Sequence, residues 1–213
     1  MNTITRRSMM LAGAALPLSA GLLSGCGGLI PQAPPSNLYT LSPKTIFTDT
    51  LPRVDWQLVV EEPFAAGGLD THKIAIFTNP YEVKYYAEAR WSERAPRMVQ
   101  TLLVESFENT GKIVAVGRQS VGLRSDFNIK GELREFQAEL KDGSSLPDAH
   151  VSLQVKLVAQ PRQQIVAAAT FSQRVKAKNA TVLGVVAAFD EALGYVLRET
   201  VQWTLMTAKK PAA

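Results

Sequence analysis

The chain has 213 residues, with 23 basic and 19 acidic side chains and a single cysteine. No run of about five or six like charges occurs, so a nucleic-acid-binding surface has no electrostatic footprint. One cysteine leaves no intrachain disulfide framework and no thiolate metal cluster, so stability has to come from packing.

Residues 1–25 read as a lipoprotein signal peptide. Arg6 and Arg7 form a positive n-region, Met9 to Leu23 an apolar stretch interrupted by small residues, Pro17 and Ser19. Leu23, Ser24 and Gly25 then precede Cys26 in the manner of a bacterial lipobox. Cleavage before Cys26 and acylation of its thiol are expected. The stretch is shorter than the about 20 apolar residues of a membrane-spanning helix. Thr5-Arg6-Arg7-Ser8 also resembles a twin-arginine export signal, and the general secretory route stays open beside it. Removing the signal leaves 188 residues with 21 basic against 19 acidic, enough for one domain with a real core. Gly27, rather than Asp, follows the cysteine, which by enterobacterial sorting favours the outer membrane over the inner.

Residues 26–53 read as the lipidated cysteine and a Pro-rich tether carrying five of the twelve prolines. Twelve residues of extended chain at about 3.1 Å each reach roughly 35–40 Å. Leu38-Tyr39-Thr40-Leu41 reads as a first short strand within it. A folded domain follows over 54–208. Trp56 to Val60 and Lys73 to Thr78 are strand-like. In Glu82 to Trp91, the odd residues Val83, Tyr85, Ala87, Ala89 and Trp91 form an inward face. Tyr86 and Arg90 fall on the outward face among charges. Pro96 suits the first turn of a helix whose stripe is Val99, Leu102, Leu103 and Phe107, stopped by Asn109-Thr110-Gly111. Ile113 to Val116 is expected as a short buried strand.

Phe127, Ile129 and Leu133 alternate, but Phe136, Ala138 and Leu140 have the other parity, so a bulge is expected at Arg134-Glu135. After a turn at Asp142-Gly143, His150 to Val158 places Val151, Leu153, Val155 and Leu157 inward. Gln164 to Val175 completes an antiparallel meander. A long helix from Thr181 to Met206 carries Val185, Phe189, Ala192, Val196 and Trp203 on one side, and Lys209 to Ala213 reads as a frayed tail.

Chemistry-bearing constellations are sparse. His72 reads as a loop residue and His150 as a solvated strand end, and neither has metal-ligand spacing. There is no nucleophile elbow and no phosphate loop. Glu61-Glu62 and Asp190-Glu191 are sequence neighbours, which do not face one site on a strand or helix. Asn179-Ala180-Thr181 matches a glycosylation sequon. No catalytic role, cofactor or metal is expected. Tyr86 and Arg90 are the candidate partner interface.

The ordered set of features resembles the ABC-type transport auxiliary lipoproteins, the group that includes the paraquat-inducible protein C type. It comprises the lipobox ending in Cys26, Leu38-Tyr39-Thr40-Leu41, Tyr85-Tyr86 with Arg90-Trp91, the Pro96 helix, and Ala187 to Leu193 with Trp203, over about residues 38–205. The resemblance implies an α/β (α+β) fold: a single mixed β-sheet with an antiparallel meander, flanked by two main helices. It implies a periplasm-facing lipoprotein of the outer membrane, with the inner membrane as the alternative. Its partners would be ABC transporter and mammalian-cell-entry protein subunits that move lipids or other hydrophobic molecules, and it allows a homo-oligomer. Arg97 departs from the less charged residue expected after Pro96. Two rival functions are a cell-wall synthase regulator, which would need a longer tether, and a periplasmic hydrolase, which would need a buried pocket with perturbed titratable groups.

Overall fold

The computed structural model describes residues 35–118, 124–141 and 143–209. Cys26, the lipobox and Asp142 lie outside the described residues, as does the tail beyond Lys209. The chain runs β1 (Asn37–Tyr39), β2 (Val54–Val60), β3 (Phe64–Ala65), β4 (Lys73–Asn79), β5 (Glu82–Trp91), α1 (Ala95–Thr110), β6 (Ile113–Arg118), β7 (Phe127–Glu139), β8 (Asp148–Ala159), β9 (Gln164–Lys176) and α2 (Val182–Thr207). All the strands join one open mixed sheet with β7 as its spine. This is the expected α+β architecture.

One edge of β7 pairs antiparallel with β8 along its whole length, and β8 pairs antiparallel with β9, completing the meander. The other edge takes three strands end to end, all parallel: β2 at Phe127–Ile129, β3 at Glu132–Leu133 and β4 at Gln137–Glu139. The β7–β8 register shifts between Leu133 and Glu135. That is the bulge the parity change demanded, and it puts Ile129, Leu133, Phe136 and Ala138 in the core together.

The helices cover one face. In α1, Pro96 lies in the first turn, and Gly111 closes the helix at φ 60°, a left-handed cap that glycine adopts without a Cβ penalty. Thr181 caps α2, its hydroxyl oxygen accepting from the Gly184 N–H at 3.1 Å. Twelve α2 residues are buried, enough to cover β8 and β9. Three rings from three elements close the centre: Trp91 of β5 lies 5.3 Å from Phe189 of α2, and Phe136 of β7 lies 5.2 Å from Phe189.

Four expectations need correction. The strict alternation of β5 fails in its first half: Ala89 and Trp91 are buried, whereas Val83 and Ala87 are exposed. The hairpin end of β4–β5 runs past the helix-covered core, and the pairing shifts where Glu88 adopts φ 55°, which resets parity before Ala89. Strand β6 is a half-buried edge, with Val114 68% exposed, because among the described residues only β2 pairs with it. His150 is buried rather than solvated, since β8 is flanked on both sides. Finally, the part of the tether from Asn37 to Arg53 is a strap packed on the domain. Leu41 and Leu51 sit in the core, the Ser42 N–H donates to Asp190 at 2.7 Å, and the Lys44 N–H donates to Ser106 at 2.9 Å.

Candidate functional site

On the sheet face opposite α2, the pairing aligns Gln137 of β7, His150 of β8 and Arg174 of β9. The next rung aligns Glu139, Asp148 and Lys176. Polar side chains fall here because the alternating partners Val151, Leu153 and Val155 are committed to the core.

These groups form one network. His150 Nδ1 lies 2.7 Å from Glu139 and its Nε2 lies 3.0 Å from the Ser172 hydroxyl. With the proton on Nδ1, the ring donates to Glu139 and accepts from Ser172. Arg174 donates to Glu139 from Nε at 3.2 Å, and the buried Gln137 amide donates to both Glu135 and Glu139. Burial pushes the Glu139 carboxyl up, but the Arg174 and His150 hydrogen bonds together outweigh it and hold the group below its ordinary range. The hydrogen bond from Lys141, at 2.8 Å, holds the Asp148 carboxyl low, aided by Lys176.

Beside this network, the end of β4 and the turn after it border a cleft of about 500 Å³ with the end of β7. Phe77, Pro80 and Leu140 supply its apolar wall, and Gln137, Glu139 and Lys141 its polar one. Glu135, Glu139 and His150 bring three ligand-type atoms within 4.8 Å of one another. Those atoms are already engaged: Gln137 donates to both carboxylates, and Arg174 neutralises Glu139. The arrangement cross-links three strands, and it sets the Ser172 hydroxyl, the His150 ring and the Glu139 carboxylate in hydrogen-bond sequence.

Tyr86 is half-buried and packs against the core, and burial pushes its phenol up. Arg90 is exposed, opposite Leu38 on one side and Lys73 on the other. The two residues lie on either side of the irregularity at Glu88, so the structure does not join them in one continuous face. His72 is exposed in a bend, as expected. The sequon residues serve α2: Asn179 accepts the Thr181 N–H at 3.1 Å. The His150 network escaped the sequence reading because the parity that marks a residue as polar does not reveal that both neighbouring strands enclose it. The Gln137–His150 pairing could have been found by carrying the Arg134-Glu135 bulge through to the facing strand.

With this geometry in place, comparison with known proteins decides the family. A family model for the ABC-type transport auxiliary lipoprotein component matches residues 39–201. The chain belongs to that family. A solved structure of a Xanthomonas campestris protein from the DUF330 family is similar, with 34% identity and a TM-score of 0.76 over 81% of this chain and 96% of that one. A second solved structure, of an uncharacterized protein, shares the fold at 16% identity and a TM-score of 0.62, covering 78% of this chain and 97% of that one. An uncharacterized Bradyrhizobium diazoefficiens protein is 26% identical over 149 residues. The match takes in 70% of this chain but only 39% of that protein's length. No described helix of this family member is long and apolar enough to cross a membrane.

Proposed function

We propose that this chain is a non-catalytic lipoprotein, held by acyl groups on Cys26 and facing the periplasm from the outer membrane. It docks an ABC-type assembly containing a mammalian-cell-entry type subunit, which moves lipids or other hydrophobic molecules between membranes. The observation that carries this reading is the family match across residues 39–201, which spans the folded domain. The lipobox before Cys26 supports the anchoring, since two or three acyl chains give stable attachment at about 0.8 kcal/mol per buried CH₂. The family's description as an auxiliary component of transport supports a non-catalytic role. The strap argues against a wall-spanning regulator: packing from Asn37 onward leaves only about ten residues of spacer after Cys26.

The test is affinity purification of the tagged full chain from membranes under mild detergent. Recovery of an ATPase, a permease and a mammalian-cell-entry type protein is expected. Recovery of a cell-wall synthase instead would overturn the docking reading. A Cys26→Ser chain should stay folded, leave the membrane fraction and fail in transport.

A further inference from the structure

Strand β9 presents a long open edge. Among the described residues only β8 pairs with it, and no described hydrogen bond reaches its outer side. On the α2 side the β8 residues Val151, Leu153, Val155 and Leu157 are at most 1% exposed. Their β9 counterparts Gln173, Phe171, Ala169 and Ala167 are only half-buried. From Gln164 to Gln173 the strand carries no charge and no proline. Natural proteins blunt such edges with charges, prolines or covering elements, and β9 has charge only at its end, in Arg174 and Lys176.

We propose that a second copy of this chain pairs antiparallel along this edge, with the two-fold axis at Phe171. The regular in–out alternation runs from Ala167 to Val175, bounded at one end by the register shift near Ile165, and Phe171 is its midpoint. In this register no facing pair sets like charges together. Phe171 meets Phe171, Thr170 meets Ser172, Gln173 meets Ala169, and Arg174 meets Ala168. Aromatic and hydroxyl cross-strand pairs are favourable, and no like charges oppose. Moving the axis to residue 174 would set Arg174 against itself. A C2 pairing of this kind keeps the α2 side of one copy continuous with that of the other. The inference does not rest on the transport reading.

The test uses the full chain extracted in detergent. Chains carrying Ala169→Cys and Gln173→Cys are mixed and oxidised. Directly facing Cα atoms lie about 4.5–5.5 Å apart, within disulfide reach. A residue and its own copy at position 169 would be about 13 Å apart, four residues along the strand. A cross-linked dimer is expected from the mixture, and none from either variant alone or from the parent chain with Cys26 only. Ala168→Lys sets two like-charge pairs across the interface and should weaken self-association about tenfold by sedimentation. Ala168→Glu, facing Arg174, should preserve or strengthen it. Position 168 is exposed, so both variants should fold. A monomer at tens of micromolar, equal behaviour of the Lys and Glu variants, cross-linking from a single cysteine, or capture of a different protein's strand at position 169 would each overturn the proposal.

Discussion

His150 shows how much one enclosed side chain can organise. Its ring joins Glu139 on one neighbouring strand to Ser172 on the other. Removing it leaves Glu139 and the buried centre of the sheet one partner short. His150→Ala should therefore cost about 1–3 kcal/mol, the range for a lost buried hydrogen-bonding partner, measured as a lowered urea midpoint with an unchanged m-value. An unchanged midpoint would mean that the network is decorative. At this scale the sequence was legible where chemistry and periodicity agreed. Phe136, Leu153 and Phe189 were readable as core, and Gly111 as a helix stop. His150 and Gln137 were not, because their burial depends on strands that are distant in sequence.

Among the elements, the strap and the α2 cap are those whose roles changed most from expectation. A Pro-rich stretch reads as spacer, yet Leu41 and Leu51 anchor it in the core. Leu38, Leu41, Ile46, Phe47 and Leu51 follow neither a helical nor a strand period, so the docking was invisible without the helices beneath it. Leu51→Ala should cost about 2–5 kcal/mol through transfer and cavity terms, read by thermal unfolding. A loss near zero would mark the strap as loosely attached. At the other end, Thr181→Ala should cost roughly 1 kcal/mol, and Thr181→Ser should restore most of it, because a hydroxyl accepts the Gly184 N–H in either case. Gly184 is itself constrained: a Cβ there would lie 2.2 Å from the Asn179 side-chain oxygen. The β7 bulge was legible because an apolar pattern cannot change parity inside one buried strand without an inserted residue. The irregularity in β5 was not, since its alternation is unbroken in the sequence and only the pairing with β4 shifts it.

For the molecule as a whole, the charge pairs on the open sheet face set the response to acid. The Glu139 and Asp148 carboxyls are both held low in the folded state. A carboxyl depressed on folding contributes stability that is present above its unfolded value, about 4, and is lost as pH falls through the folded value. Stability should therefore decline below about pH 4–5, and Glu139→Gln should flatten that decline, as read from urea midpoints against pH. An acid limb of the same slope in the variant would place the linkage elsewhere. The measurement that bears most directly on the whole account is the intact mass of the mature chain purified from membranes. The account predicts a chain beginning at Cys26 with diacylglycerol on its thiol. A mature chain starting at Cys26 or elsewhere with an unmodified mass would contradict it.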